Sequence, residues 1–499
     1  MPPAKASKRD WIGLAVIALP CLLYSMDLTV LNLAVPYLSI ALKPSASQLL
    51  WILDIYGFIL AGFLITMGTL GDRIGRRKVL LMGACAFGVA SIFAAYANSS
   101  TTLIIARAIL GIAGATLAPS TLSLIQNMFA DPRQRRLAIG IWVASFSAGG
   151  AIGPIVGGVL LAQFGWGSVF LISVPVMTIL LLAGPFLLPE FKDANARPVD
   201  IVSVVISLLS ILTIVFGLKQ TAANGMNWLS ASSIAVGLLT GVFFLRRQKK
   251  LPFPLVDLEL FHRSSFRAAL LIYTFGTFVL FGFFFFTYQY LQLVVGFAPI
   301  KAGLWSLPNI AAFIIGSITT PAIAAKVHPI KLITAGLFMA ALGFGLVTQL
   351  NGEAGLWFLV VGSFIYCLGI APIITLTTDM IVSAVPAEKA GMASALAETG
   401  SEFGGALGIA LLGTLGTAIY RSQLAKEITV IGSTKPLKAV PQTLAEAIQY
   451  ARTLPANLRD LFIQQAHQAF IKGMQLTALT CGIIALIMAV VCLTKRDRI

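Results

Sequence analysis

Long uninterrupted apolar runs, each about 20 residues or more, recur from one end of the chain to the other and are separated by short polar, basic or Gly- and Pro-bearing joints. A helix rises about 1.5 Å per residue, so about 20 residues cross the roughly 30 Å hydrocarbon core of a bilayer. About fourteen such runs are present, the first near 11 to 34 and the last near 468 to 494. Backbone polar groups inside lipid have to be satisfied within the protein, which leaves helices or a closed barrel. A barrel would show strands of about ten residues alternating polar and apolar, and stretches such as Ile201 to Phe216 do not alternate. The pattern predicts an all-α polytopic membrane protein with fourteen transmembrane helices.

Two joints differ from the rest. A polar, Pro-bearing stretch from Pro189 to Pro198 follows the sixth span, and a basic stretch from Arg246 to Arg267 follows the eighth. They divide the chain into an amino terminus over 1–10, a six-helix half over 11–189, a linker with an inserted helix pair over 190–264, a second six-helix half over 265–494 and a tail over 495–499. A faint internal repeat agrees: the basic turn Leu70 to Leu80 can be laid over Ile323 to Ile333, each joining the second and third helices of a half. Repeated halves are how many carriers place a substrate site at the bilayer midplane. The longest loop, 419–467, carries apolar stripes at helical spacing over 442–453 (Leu444, Ala447, Ile448) and 457–470 (Leu458, Leu461, Phe462), which fits a short helical hairpin against the outer mouth or, as the alternative, a solvated loop.

Composition strengthens the membrane assignment, since 58% of the 499 residues are hydrophobic and only 11% charged, against roughly 25% charged in soluble domains. A net charge of +16 raises the question of a polyanionic partner. With the amino terminus in the cytoplasm, the basic residues gather in the short inner loops and tails, while the short outer loops hold only Lys43, Lys219 and Lys301. That asymmetry places both termini in the cytoplasm and accounts for the charge by topology, without nucleic acid. The apolar segment behind Lys5, Lys8 and Arg9 is too long for a signal peptide and reads as a retained first span. Five cysteines scattered through apolar segments and three dispersed histidines point to neither disulfides nor a metal site.

Several motifs then carry the chemistry. Gly68-Thr-Leu-Gly-Asp-Arg-Ile-Gly-Arg-Arg-Lys78 combines glycines that permit close approach (Gly68, Gly75) with charges able to latch helix ends (Asp72, Arg73, Arg76, Arg77). Asp131 is a candidate partner for Arg76. Arg107 lies inside the fourth span, where an arginine costs about 2.5 to 3.5 kcal/mol and needs a cavity, an acidic partner or a snorkelling path to the interface. Gly149-Gly-Ala-Ile-Gly-Pro-Ile-Val-Gly-Gly158 places Gly149, Gly153, Gly157 and Gly158 for tight helix packing around the helix-bending Pro154. Asp27 stands in Met26 to Pro36, Asp54 in Leu50 to Tyr56, and Trp166 precedes Phe170 to Pro175.

On these motifs the chain resembles the major facilitator superfamily over nearly its whole length, and within it the fourteen-span, QacA-like drug:proton antiporters. The resemblance implies two six-helix halves plus two inserted helices, both termini cytoplasmic, in the cytoplasmic (inner) membrane of a bacterium. It implies export of lipophilic organic cations such as quaternary ammonium antiseptics, dyes and drugs, driven by the proton gradient with no cofactor, by a monomer in contact with the lipid bilayer. Asp72 is expected to face the amino end of a helix of the other half beginning near Lys389, and Arg107 to serve proton coupling. The glycine motif at 149 to 158 marks antiporters. Asp27, Asp54, Glu398 and Glu402 match acidic positions used for protons or cations, whereas Asp379 has no such counterpart. Relatives with an acid a few residues beyond the Lys301 and Leu307 elements have it where this chain has Phe313, so a second carboxylate for divalent cations is missing there.

The residues themselves agree with this chemistry. Asp27, Asp54, Asp379, Glu398 and Glu402 fall in or near apolar spans, and Arg107 is the one obvious fixed counter-charge. A carboxyl in an apolar setting favours its protonated form and so can carry an exchangeable proton. Glu398 and Glu402, spaced i and i+4, share one helix face. Tyr24, Trp51 and Tyr56 offer aromatic faces to a cation, while the phenylalanine run from Phe275 to Tyr290 reads as lipid-facing filler. No phosphate-binding loop of the G-x-x-x-x-G-K-[ST] type is present. Two alternatives stand beside multidrug export: an exporter of a single metabolite, lipid or siderophore, and a membrane enzyme or sensor, which lacks a catalytic constellation.

Overall fold

The computed structural model describes residues 5–494 apart from 45, 193–199, 253, 352–354, 387–389, 432–440 and 442. Among the described residues it is helical and contains no strand. Fourteen stretches are long and apolar enough to cross a membrane. The first half is α1 (Lys8–Leu42), α2 (Ala46–Ile74), α3 (Arg76–Ala95), α4 (Ser100–Gly114), α5 (Leu117–Met128), α6 (Pro132–Phe164), α7 (Ser168–Leu171) and α8 (Ser173–Leu187). The inserted pair is α9 (Ile201–Asn224) and α10 (Trp228–Gln248). The second half is α11 (Ser264–Gln289), α12 (Pro299–Ala324), α13 (Pro329–Val347), α14 (Gly355–Ser383), α15 (Ala390–Ile431), α16 (Leu444–Ala451) and α17 (Ala456–Thr494).

Helix starts follow local chemistry. Ser7 and Asp10 form a capping box on α1, and the Ser99 hydroxyl accepts from the Thr102 amide at the start of α4. Asp131 caps α6 with Pro132 in its first turn. The fourth span is two helices, α4 and α5, broken at Ala115 and Thr116, where the Thr116 hydroxyl donates to the Ala113 carbonyl. The span led by α11 ends in a π-helical turn, Tyr290–Val294.

The two halves pack by one scheme. α1 lies on α6 as α11 lies on α15, α2 on α4 as α12 on α14, α3 on α4 as α13 on α14, and α3 on α8 as α13 on α17. The halves meet through α6 against α12 and α2 against α15. α9 and α10 pack on each other, with α9 against both α2 and α15, so the inserted pair covers one of the two seams. Glycines set the closest approaches: a Cβ on Gly149 of α6 would overlap the Leu22 carbonyl of α1, and one on Gly408 of α15 would overlap the Phe278 carbonyl of α11.

Two expectations change. The 42 residues of α15 and 39 of α17 give helices of roughly 60 Å, so both project beyond the membrane on the side away from the Gly68–Lys78 loop. Residues 457–470 are therefore the extension of the last span and not a separate hairpin arm; only 444–451 forms a short helix, α16, which packs on α17 with Tyr450 and Phe462 rings 5.5 Å apart. The phenylalanine run is not plain lipid-facing filler either. Phe278, Phe283 and Phe286 are buried and Phe275, Phe281 and Phe285 are exposed, as a helix with one face on protein requires.

Candidate functional site

Near mid-span, where α1, α2, α6, α11 and α15 converge, a group of aromatic and carboxyl side chains gathers. The Tyr24 hydroxyl donates to Glu402 Oε1 at 3.0 Å across the two halves. Around Tyr24 stand Tyr56 at 6.3 Å and Phe146 at 5.4 Å between ring centroids, and Phe146 packs edge-on to Trp142 at 4.7 Å. Trp142 is held by its indole N–H, which donates to the Thr121 hydroxyl at 2.9 Å. One turn before Glu402, Glu398 is buried and lies within electrostatic reach of Cys21, Tyr24 and Tyr273. No hydrogen bond or ion pair to Glu398 occurs among the described residues. Aromatic faces beside carboxylates in a dry setting suit a lipophilic cation, each ring contributing about 0.5 to 2 kcal/mol.

Arg107 sits beside this group. It is fully buried, pairs with Asp27 at 2.6 Å, donates through Nε to the Ile52 carbonyl at 3.1 Å and lies 4.9 Å over the Tyr56 ring. Snorkelling is thereby excluded, because the guanidinium is turned into the bundle. Asp27 is accordingly not a lone carboxyl. Its charge is matched by Arg107, and removing either partner of a pair this deep typically costs about 3 to 5 kcal/mol by stranding the other.

At the inner end three contacts tie the halves together. The Asp72 carboxylate accepts from the Gly391 amide at 3.2 Å and the Met392 amide at 3.0 Å, at the first described turn of α15, where a helix offers unpaired N–H groups and positive potential. A Cβ on Gly68 would stand 2.5 Å from the Gly391 carbonyl oxygen, so glycine is what lets α2 touch α15 there. The second contact is Asp379, which accepts from Arg135 at 3.1 Å and Arg136 at 2.9 Å. The third is Gln126, whose amide donates to the Val382 carbonyl at 2.8 Å and the Val385 carbonyl at 3.3 Å. These contacts join the two halves at this end.

The remaining residues singled out in the sequence fall as follows. Asp54 lies on α2 with its side chain outside the described residues, as does the side chain of Pro154 on α6; Lys389 is also outside them. Trp51 is not brought to the aromatic group: it is 41% exposed and packs on Phe58, which faces Phe216 of the inserted pair. Arg76 pairs with Asp72 on its own turn, and the Asp131 carboxylate is occupied in accepting from the Arg133 amide. Arg73 ends α2. Gly75 has φ of +117°, and the backbone amides of Arg77 and Lys78 that follow it donate to Glu190. Gly153 is buried, and Gly157 approaches Val30 of α1. No described residue stands within 4 Å of a Cβ placed on Gly158, so close packing against the described residues is not its reason. Phe313 is buried.

Sequence reasoning passed over Trp142, Phe146, Tyr273, Gln126, Arg135 and Arg136. The aromatic three look like any apolar-span residue. Arg135 and Arg136 read as part of a basic inner loop, and only the fold brings Asp379 to them.

The sequence profile described as Major Facilitator Superfamily matches residues 17–409. The chain is 41% identical over 483 residues to the multidrug efflux pump LfrA of Mycolicibacterium smegmatis, covering 97% of this chain and 95% of that one. It is 31% identical to the methyl viologen resistance protein SmvA of Salmonella typhimurium, covering 97% of each. It is 30% identical to the tetracenomycin C resistance and export protein of Streptomyces glaucescens, covering 99% of this chain and 93% of the other. Among solved structures, the human organic anion transporter MFSD10 superposes with a TM-score of 0.59 at 15% identity, covering 96% of this chain and 100% of that one. A bacterial homolog of the human lysosomal transporter Spinster gives 0.58 at 17%, covering 98% and 97%.

Proposed function

The chain belongs to the Major Facilitator Superfamily and is a multi-pass membrane transporter, not an enzyme, and from that premise we propose that it exports lipophilic organic cations in exchange for protons. The observation that carries the proposal is the juxtaposition of Glu398 and Glu402 with Tyr24, Tyr56, Phe146 and Trp142 at the seam of the halves. Multidrug efflux in the name of one relative and resistance to methyl viologen, a dication, in that of another support the direction and the class of cargo.

In the proposed cycle, Glu398 and Glu402 hold protons taken up from the outside. A cation entering from the inner side is drawn by the aromatic faces and favours the ionised carboxylates, which release their protons to the cytoplasm. The loaded protein opens outward, reprotonation at the outer face weakens the cation's hold, and the cation leaves. Asp27 takes part through its pairing with Arg107: when Asp27 is protonated the guanidinium loses its partner, which couples protonation in α1 to the position of α4. Moving one net charge inward through 100 mV releases about 2.3 kcal/mol, and each tenfold concentration ratio requires about 1.4 kcal/mol. One net charge per turnover therefore supports a cargo gradient of several tens-fold. The proposed setting is the cytoplasmic membrane of a bacterium, with one chain as the working unit and neither metal nor organic cofactor.

Everted vesicles test this directly. Ethidium and benzalkonium should be taken up only while a proton gradient is maintained, and collapse of the gradient should stop uptake at once. Uptake indifferent to the gradient would refute proton coupling. A second reading, export of a single natural product, has support in the relative named for tetracenomycin C; protection of cells against one compound and not against unrelated cations would favour it.

A further inference from the structure

The mid-span site uses neither of the inserted helices, yet their inner end is built with more care than a lipid-facing filler needs. The Gln248 side chain, at the last turn of α10, is buried to 2% exposure. Its amide N–H donates to the Ser203 hydroxyl of α9 at 2.8 Å, and its carbonyl oxygen accepts from the backbone amides of Leu255 at 2.6 Å and Val256 at 3.3 Å. Ser203 in turn donates to Asp200, which Arg247 grips with two hydrogen bonds at 2.8 and 3.1 Å. One glutamine thus fixes both the inner end of the helix pair and the peptide that leaves it.

That peptide lies between the halves. The Thr69 hydroxyl of α2 shares its proton between the Ile65 carbonyl of its own helix at 2.9 Å and the Leu255 carbonyl at 3.3 Å, and Leu255 and Val256 are buried. Two residues on, the Asp257 amide points at the Met392 sulfur of α15 at 3.2 Å. Thr69 is next to Gly68, and the Met392 amide is one of the two that hold Asp72. The peptide therefore contacts both sides of the Asp72 latch, and parting of the inner ends of α2 and α15 has to break at least one of these two contacts.

We propose that Gln248 is a positioning residue for the transport cycle: by seating residues 255–257 across the inner ends of α2 and α15, it makes the inserted helix pair a clasp that favours the inner-closed state. Nothing in this depends on which cargo is carried. It follows that the pair sets the balance between the two faces of the transporter and does not merely lengthen the chain.

The test is a distance measurement without substrate. Spin labels at Arg133→Cys and Lys326→Cys, both exposed and at the inner ends of opposite halves, report closure in a background lacking native cysteines. In nanodiscs the parent should show mainly the short distance. Gln248→Ala should shift the closed-to-open ratio toward open on the order of tenfold, the size expected when buried donors lose their acceptor. Thr69→Val, which removes the hydroxyl from the other end of the connection, should shift it the same way, and the double variant should move it no further than the larger single change. Should Gln248→Ala fail to fold, Thr69→Val alone decides. A lowered melting temperature with unchanged distances in the folded variants would mean a purely structural role and overturn the proposal. An efflux panel run in parallel reports separately on the cargo, so failure of one does not mimic failure of the other.

Discussion

Arg107 and Asp27 form a buried ion pair that, under the proposed exchange, serves stability and coupling together. In Asp27→Asn the guanidinium keeps the Ile52 carbonyl and the Tyr56 face but loses its charge partner, so we expect destabilisation on the order of 3 kcal/mol and loss of cation-driven proton movement in vesicles. Unchanged coupling in a well-expressed Asp27→Asn protein would remove Asp27 from the cycle. Tyr24→Phe is a milder probe, because it keeps the ring beside Phe146 and deletes only the hydroxyl that donates to Glu402. Loss of a hydrogen bond to a charged group is worth about 1.5 to 3 kcal/mol, so the apparent affinity for an ethidium-like cation should change by roughly ten-fold or more, with little effect on the amount of protein in the membrane. Identical affinities would show that this bond is irrelevant to the cargo. Asp27, Arg107, Glu398 and Glu402 were legible in the sequence because a charge in an apolar run is conspicuous. Their pairing was not: Asp27 and Arg107 are 80 positions apart, and only the packed helices show that one acid is matched while another, Glu398, is buried one turn from Glu402.

At the scale of elements, the glycines of α6 separate into two kinds that the sequence motif does not distinguish. Gly149 lies against the Leu22 backbone, whereas no described residue stands within 4 Å of a Cβ on Gly158. Gly149→Leu should therefore force α1 and α6 apart and abolish resistance in an efflux-deficient host. Gly158→Ala should leave resistance near the parent level and stability within about 0.5 kcal/mol. Equal sensitivity of the two positions would contradict the packing account. The fourteen spans were readable from apolar length alone, since hydrocarbon thickness fixes that length. The fate of 457–470 was not, because apolar spacing there describes equally a free helix and the continuation of α17. Gln248 was hidden for a different reason: it stands in a basic run that reads as solvated, and its partners come from α9 and from the peptide beyond. Hydrogen bonds from Arg247 and Ser203 hold the Asp200 carboxyl down at about 2. Because the folded value lies below the ordinary one, the stabilisation from this contact is complete above about pH 4 and fades only as the pH falls toward 2, so it does not act as a switch in the pH range of cells.

For the whole molecule, the repeated packing scheme of the halves and the three contacts that join them at one end correspond, in the proposed cycle, to the inner-closed state. Asp379, 243 positions from Arg136, joins the halves through its pairs with Arg135 and Arg136. Asp379→Asn should leave Arg135 and Arg136 poorly paired and raise the reactivity of a cysteine introduced at the inner mouth toward a membrane-impermeant reagent, several-fold over the parent. Unchanged reactivity would mean that Asp72 and Gln126 suffice. The central claim, that buried carboxyls between the halves exchange protons for cations, is tested most directly by recording proton release from purified protein on addition of ethidium, comparing the parent with Glu398→Gln/Glu402→Gln. The account predicts a clear proton release from the parent and none from the doubly neutralised protein, with both folded. Equal release from the two would contradict it.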